Sequence, residues 1–230
     1  MAQGVIRPSL VGVTASGCLF VADLTWLGLV RPEGTPLLAA WFVVLALVGA
    51  FLPGLANQVT MSRAHLAGPA LVYSLASSRL MDLAAVVGLA GLSDLLDGAV
   101  ARRLAERSRL GGALDPVVDG LFFGAVAIGL ALGDAYPLWL ALVVVARYGV
   151  PALAGGVLLL AGRQPTLQHT PLGQASTALI AFLLGAQALT RALGWGAEGL
   201  LVFSKVVIPL AAVGAVANLF WSNRSAIIGR

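Results

Sequence analysis

Long apolar segments alternate with short polar ones along the whole chain. The apolar segments cover residues 9–30, 37–55, 64–78, 83–104, 116–133, 137–161, 172–190 and 200–221. A helix that crosses the hydrocarbon core of a bilayer needs about 20 predominantly apolar residues, and most of these segments approach that length. The pattern therefore predicts an all-α fold, a polytopic membrane bundle of about eight transmembrane helices.

Composition narrows the class of protein further. Of the 230 residues, 59% are hydrophobic and 10% are charged, whereas a soluble domain averages about 25% charged residues. The single cysteine, Cys18, excludes an internal disulfide and a cysteine-based metal site. The sequence has no Gly-rich phosphate loop, which argues against an ordinary ATPase. The formal charge of +4 suits contact with anionic membrane lipids, and we expect no nucleic-acid partner.

Two polar residues interrupt apolar surroundings near the N-terminus. Asp23 lies inside the first apolar segment, where an acid is either functional or close enough to the outer end, beside Thr25, to reach interfacial water. The second interpretation is favoured. His65 follows the polar segment 57–63, and we interpret it as an interfacial residue, not as a ligand.

Four aspartates between residues 94 and 119 form the most unusual polar pattern. Two carboxylates one turn apart share a helix face with two small residues and an arginine, and a second carboxylate pair follows at i+4 spacing. These residues are Asp94, Asp97, Gly98, Ala101 and Arg102, then Gly111, Asp115 and Asp119. A chain reversal between Arg102 and Gly111 would let the two acidic pairs face each other.

A simpler interpretation exists for individual residues of this pattern. Gly111 and Gly112 predict a break in the helix, and Asp115 followed by Pro116 predicts a helix start with the aspartate as N-cap. Capping does not explain Asp119. Four converging carboxylates would repel each other unless cations neutralise them. Oxygen ligands without nearby Cys or His favour Mg²⁺ or Mn²⁺, and two ions between two acidic pairs suit phosphoryl transfer.

The spacing D-x₂-D-G-x₂-A-R-x₈-G-x₃-D-x₃-D resembles the signature of the CDP-alcohol phosphotransferase family. All eight fixed positions match without a gap. The resemblance implies an integral membrane enzyme that displaces CMP from a CDP-linked donor, here CDP-diacylglycerol, with an alcohol acceptor. It also implies a six-helix core at residues 57–230, preceded by an extension of two transmembrane helices at residues 1–56, and a possible homodimer.

The resemblance also implies roles for individual residues. Asp94, Asp97, Asp115 and Asp119 would bind the two ions, and Asp119 is the candidate general base. The cytidine and phosphate pocket would be shaped by Gly98, Ala101, Arg102 and Gly111, with Asn57, Thr60 and Arg63 facing the donor head group. Without the resemblance, residues 57–63 read only as a polar, capped helix start.

The acceptor is less well specified. Arg147 lies within an apolar segment and marks a site or an internal salt bridge to an aspartate. By resemblance it would bind an acceptor phosphate, which favours glycerol-3-phosphate. The opening L-G-Q-A-S-T at residues 172–177 resembles that of phosphatidylglycerophosphate synthase-like members, but Gln174 and Ser176 replace their lysines, and Arg163 is a candidate substitute cation. Inositol phosphate, another polyol phosphate and a phospholipid remain alternatives.

The arginines predict the orientation of the chain in the membrane. Three of them, Arg31, Arg79 and Arg191, fall on one side. Nine fall on the other: Arg7, Arg63, Arg102, Arg103, Arg107, Arg109, Arg163, Arg224 and Arg230. The positive-inside rule places the second side, with both termini and the acidic motif, in the cytoplasm, and we expect a multi-pass protein of the cell (inner) membrane.

Two other classes of protein use similar chemistry. An intramembrane prenyltransferase also binds a diphosphate with paired aspartates and Mg²⁺, but its motifs usually lie in separate halves of the chain. A divalent-cation transporter would show inverted repeats with interrupted helices in both halves. This sequence has one acidic cluster and no counterpart in the other half.

Overall fold

Eight α-helices and no strand make up the described part of the chain. The computed structural model describes residues 8–104, 109–160 and 170–224; within the helices, the side chains of residues 94–95, 97–104, 109–113, 155–156 and 158–160 are not described. The helices are α1 (Leu10–Val30), α2 (Thr35–Ala50), α3 (Leu55–Ser74), α4 (Leu80–Leu104), α5 (Arg109–Leu132), α6 (Leu138–Leu160), α7 (Pro171–Ala192) and α8 (Glu198–Ser222), with a short 3₁₀ turn at Ser77–Arg79 before α4. The all-α prediction is confirmed.

Half of these helices are long and apolar enough to cross a membrane. They are α1, the segment Leu114–Leu132 of α5, α7 and α8. Two shorter stretches, Thr35–Ala50 and Leu138–Ala154, are apolar but have fewer than 18 residues. The chain is therefore a membrane protein by length and composition of its helices, while eight transmembrane crossings stay a prediction.

Helix α3 lies at the centre of the bundle, although it is less apolar than its neighbours. It packs extensively on α4 and α5 and more sparingly on α1 and α2. Most of its residues are buried, including Asn57, Gln58, Thr60, Arg63 and His65. The polar segment 57–63 is thus part of the first half of α3 and is largely buried in the bundle. Because polar groups are costly to bury unless they are hydrogen-bonded, this helix needs polar partners on the helices around it.

One of these partners corrects the interpretation of Asp23 and His65. Asp23 on α1 is 7% exposed and His65 on α3 is 3% exposed. The Oδ2 atom of Asp23 lies 2.5 Å from Nδ1 of His65, and the His65 ring stacks on Phe42 of α2 at a centroid distance of 6.2 Å. The expectation that both residues are interfacial is wrong. Pairing lets each polar group remain inside the bundle.

The start of α5 also differs from the prediction. The helix begins at Arg109 and contains Gly111, Gly112 and Pro116, so Asp115 lies inside the helix and is not its N-cap. A glycine in a helix interior costs roughly 0.5–1 kcal/mol relative to alanine. Tertiary packing supplies most of the stability of a helix in a protein and overrides such a cost. Here the packing partner is α3, which runs along α5.

Candidate active site

A buried arginine on α3 contacts both described aspartates of the acidic motif. Nη1 of Arg63 lies 2.5 Å from Oδ1 of Asp119, and Nη2 lies 3.8 Å from Oδ1 of Asp115. The Arg63 side chain is 3% exposed, that of Asp119 is 13% exposed and that of Asp115 is 42% exposed. Arg63 therefore balances the charge of the more buried carboxylate, while Asp115 lies at the more open side of the site.

Thr60 adds a second side-chain contact between α3 and α5. Its hydroxyl is 3.0 Å from Oδ1 of Asp115 and 3.2 Å from the carbonyl of Ala56. Thr60 and Arg63 are three residues apart on α3, and Asp115 and Asp119 are four residues apart on α5, so each pair shares one helix face. The faces meet because α3 and α5 pack along each other. Two carboxylates on one turn are thereby held in a fixed orientation.

Asn57 does not join this arrangement. Its Nδ2 atom donates to the carbonyl of Pro53 at 2.5 Å, and the residue is 5% exposed. That bond crosses the start of α3 and satisfies one carbonyl ahead of the helix. The predicted role of Asn57 at the donor head group is untested by this contact.

The other half of the acidic motif is only partly described. Asp94, Asp97, Gly98, Ala101 and Arg102 belong to α4, and Gly111 belongs to α5, but their side chains lie outside the described residues. Arg163 also lies outside them. Both α4 and α5 pack on α3. The facing of the two acidic pairs stays a prediction.

The described residues fit a divalent metal in their chemistry. Asp115 and Asp119 supply hard oxygen donors one turn apart, and the Asp115 carboxylate is exposed enough to accept a ligand. No group of three or more His, Cys, Asp or Glu side chains suited to a metal occurs among the described residues. A complete two-ion site would therefore need the Asp94 and Asp97 carboxylates as well.

Arg147 on α6 lies against the start of α7. Its Nη2 atom donates to the carbonyl of Gly173 at 3.2 Å, and its Nε atom is 3.5 Å from Oγ of Ser176. The hydroxyl of Thr170 accepts a hydrogen bond from the Gly173 amide and caps α7. Within the described chain, Arg147 forms no salt bridge to an aspartate, so that alternative is not supported.

Tyr148 is a neighbour of the site that the sequence pattern did not indicate. Its ring stacks on Phe123 at 6.0 Å, and its hydroxyl lies 3.5 Å from Oγ1 of Thr177. A Cβ atom on Gly120 would lie 2.9 Å from Cβ of Tyr148. A glycine directly after the last aspartate of the motif is the only sequence signal for this contact. It lets α6 approach α5 beside Asp119.

Several known proteins are similar to this chain in sequence. A sequence model of the CDP-alcohol phosphatidyltransferase family matches residues 54–217. A cardiolipin synthase (CMP-forming) of Streptomyces coelicolor is 35% identical over 136 residues, which is 59% of this chain and 60% of that protein. The human cardiolipin synthase (CMP-forming) is 38% identical over 92 residues, or 40% of this chain and 30% of that protein.

A third relative is named as a different enzyme. The archaetidylinositol phosphate synthase of Methanothermobacter thermautotrophicus is 43% identical over 58 residues, which is 25% of this chain and 30% of that protein. The chain thus covers less than two thirds of the length of each of these relatives. No solved structure gives a significant match to the chain.

Proposed function

Because the chain belongs to the CDP-alcohol phosphatidyltransferase family, we propose that it transfers a phosphatidyl group from CDP-diacylglycerol to phosphatidylglycerol and releases CMP. The observation that carries this proposal is the contact of Thr60 and Arg63 with Asp115 and Asp119. Those aspartates form the second half of the acidic motif, and the contact orients both of them between α3 and α5.

The acceptor follows from the relatives and from atom balance. Cardiolipin carries two phosphatidyl groups on one glycerol, and release of CMP identifies a CDP-linked donor for one of them. The acceptor is then phosphatidylglycerol, in place of the glycerol-3-phosphate expected from Arg147. The absence of lysines at Gln174 and Ser176 supports this choice. The phosphatidylglycerol head group offers hydroxyls and carries no terminal phosphate that would need those cations.

The described residues suggest a sequence of steps. Asp119 takes the proton of the acceptor hydroxyl, and the oxygen attacks the β-phosphorus of the donor in line with the bridging oxygen. The new P–O bond forms as the bond to the bridging oxygen breaks, and CMP leaves with that oxygen. Arg63 holds the Asp119 carboxylate in place, and Thr60 orients Asp115. Two Mg²⁺ or Mn²⁺ ions, held by Asp94, Asp97, Asp115 and Asp119, would supply neutralisation of phosphate charge.

A second acceptor has one supporting observation. The segment of 58 residues shared with an archaetidylinositol phosphate synthase keeps inositol phosphate as the alternative acceptor. Both alternatives share the donor chemistry. The excess of arginines on the side of the acidic motif supports a cytoplasmic active site in the inner membrane, where the donor would approach from the inner leaflet.

The test is CMP release by the purified protein in detergent with CDP-diacylglycerol and Mg²⁺. The acceptor panel contains phosphatidylglycerol, glycerol-3-phosphate and inositol phosphate. We expect release with phosphatidylglycerol and a loss of about 100-fold or more in Asp119→Asn, the scale for a charge-stabilising group. The matched control is Asp134→Asn, an exposed aspartate in the turn between α5 and α6. Release only with another acceptor would refute the acceptor assignment. Pyrophosphate in place of CMP would refute the reaction.

A further inference from the structure

An elongated cavity with mainly apolar walls lies between α1, α3 and α4. Its volume is about 400 Å³, within the range of roughly 300–1,000 Å³ that is usual for ligand sites. Along α3 the wall extends from Ser62 to Tyr73, a separation of about 16 Å along a helix. That length is close to half of the roughly 30 Å hydrocarbon thickness of a bilayer, which is the depth of one leaflet. Leu89 on α4 lines the cavity and is 54% exposed, so the cavity is open at the outer surface of the bundle.

The polar side chains in the middle of this wall make their hydrogen bonds within the protein. The hydroxyl of Ser62 donates to a backbone carbonyl of α3 at 2.6 Å, and that of Ser93 donates to a backbone carbonyl of α4 at 2.8 Å. Asp23 and His65 contact each other, and Nε2 of His65 is buried beneath the cavity surface. These side chains therefore turn little polar surface to the cavity. Such a wall favours a hydrocarbon ligand over water or a polar head group, because neither would find partners there.

Aromatic side chains and an arginine mark one end of the cavity. Trp26, in the last part of α1, donates its indole N–H to the hydroxyl of Tyr73 at the end of α3, at 2.6 Å. Trp and Tyr are enriched where a membrane protein meets the head-group region. The guanidinium carbon of Arg79 lies 4.7 Å from the centroid of the Tyr73 ring. Its Nε atom donates to Asp82, but the Arg79 side chain is 41% exposed and has further N–H donors for a ligand.

This end of the cavity is remote from the candidate active site. Tyr73 is ten residues after Arg63, which is about 15 Å along α3. The distribution of the arginines predicts that Arg79 lies on the outer side of the membrane and the acidic motif on the cytoplasmic side. The wall formed by α1 also lies outside residues 54–217, the part of the chain that matches the family. The cavity is therefore a feature of the N-terminal extension and its packing on the core.

We propose that this cavity binds a phospholipid of the outer leaflet, with one acyl chain along the apolar wall and the phosphate at the guanidinium of Arg79. An acyl chain of that leaflet has the length and the chemistry that the wall requires, and an arginine binds phosphate through charge-assisted hydrogen bonds. In the described part of the chain, α1 and α4 have at most sparse contact with each other, although both pack on α3. The bound chain fills the space between them and stabilises the N-terminal extension on the core. This site goes beyond the proposed reaction and does not depend on it.

The first test measures lipid binding to the full-length protein by native mass spectrometry. The probe is dioleoyl phosphatidylethanolamine, which is neither donor nor acceptor in the proposed reaction, and the comparison lipid is dioleoylglycerol, which has the same acyl chains but no phosphate. We expect one saturable phospholipid that binds about tenfold more tightly than dioleoylglycerol, the scale for a hydrogen bond to a charged group. Arg79→Gln should lose this preference. The matched control Arg224→Gln, an exposed arginine 4.7 Å from the ring of Trp221 and outside the cavity wall, should keep it. Equal affinities of the two lipids for the unchanged protein, or equal effects of the two variants, would overturn the proposal.

The second test narrows the opening of the cavity and leaves Arg79 in place. Leu89→Trp puts a larger side chain in the cavity wall, and Leu92→Trp is the matched control, because Leu92 is an exposed leucine of α4 outside the wall. We expect Leu89→Trp to raise the dissociation constant of phosphatidylethanolamine about tenfold. The lipid should raise the Tm of the unchanged protein and of Leu92→Trp, and raise that of Leu89→Trp by less, because a ligand that binds only the folded state stabilises it. Equal effects of the two substitutions would contradict the proposal.

The outcomes separate this inference from the proposed function, because neither test measures CMP release. Phospholipid binding that depends on Leu89 and Arg79, with no CMP release from any acceptor, would support the lipid site and refute the reaction. CMP release from phosphatidylglycerol, together with lipid binding that none of the substitutions changes, would support the reaction and refute the site. The preference for phosphatidylethanolamine should persist in Asp119→Asn, because Asp119 is not part of the cavity wall.

Discussion

Removing the arginine that contacts Asp119 should destabilise the protein, because a largely buried carboxylate loses its contact with Arg63. In Arg63→Gln, the Asp119 carboxylate, 13% exposed, loses a partner at 2.5 Å. Breaking a buried ion pair by removing one member costs about 3–5 kcal/mol. We expect a loss of stability of about 3 kcal/mol, at the low end of this range, because the Asp119 side chain is partly exposed. Asp115 adds little, since it is 3.8 Å away and 42% exposed.

A double-mutant cycle isolates the contribution of the pair. The free energy of unfolding is measured in mixed micelles for Arg63→Gln, Asp119→Asn and the double variant. We expect a coupling energy of about 1.5–3 kcal/mol, the range for hydrogen bonds that involve a charged group. The control cycle uses Arg79 and Asp82, which lie 2.7 Å apart but are 41% and 47% exposed, and its coupling should be much smaller.

Two results would refute this reasoning. Additive effects in the cycle, with coupling below about 0.5 kcal/mol, would mean that Arg63 and Asp119 do not form the contact. A coupling equal to that of the exposed Arg79–Asp82 pair would mean that burial does not strengthen it. In the same preparations, Arg63→Gln should lower the rate of CMP release by about 100-fold, because the orientation of Asp119 is lost.

Three further predictions concern the surroundings of the site. Gly120→Ala should destabilise the protein by about 1–3 kcal/mol in thermal or chemical unfolding, because the new Cβ would lie 2.9 Å from Cβ of Tyr148. Gly124→Ala serves as the control, because its Cβ would meet only ordinary contact at 3.7 Å. Equal effects of the two variants would contradict the close approach. Thr60→Val should lower the free energy of unfolding by about 0.5–1.5 kcal/mol and reduce CMP release, because it removes the hydroxyl that donates to Asp115. Thr60→Ser keeps a hydroxyl and should restore both. An active, stable valine variant would argue against this contact. Chelation of divalent cations should abolish CMP release, and Mg²⁺ or Mn²⁺ should restore it; full activity in chelator would exclude a required metal.

Much of the secondary structure followed from apolar segment lengths. The predicted segments 9–30, 137–161, 172–190 and 200–221 agree with α1, α6, α7 and α8 to within two residues at either end. The agreement fails at α3, which begins at Leu55 and not at residue 64. It also fails at α5, where a Gly-Gly pair and an Asp-Pro step predicted a later start at residue 116. Local signals of this kind are weaker than packing, because a helix that buries one side against α3 gains more than a glycine costs.

The candidate site, too, could be predicted from the sequence only in part. The spacing of the acidic motif placed each carboxylate pair on one helix face, because helical periodicity is a local property. Thr60 and Arg63 were assigned to the site only by the family resemblance. That Arg63 contacts Asp119, 56 positions away, depends on how α3 and α5 pack. The same is true of the Asp23–His65 pair, which joins residues 42 positions apart.

By itself, the sequence determined the membrane environment, the helical class and the residue types of the acidic motif, since hydropathy, helix length and side-chain chemistry are local properties of the chain. Only the tertiary structure decided which polar groups meet inside the bundle. A buried charge is costly alone and tolerable with a partner, and the choice of partner depends on three-dimensional packing. That choice brings Arg63 to Asp119, and it joins Asp23 on α1 to His65 on α3.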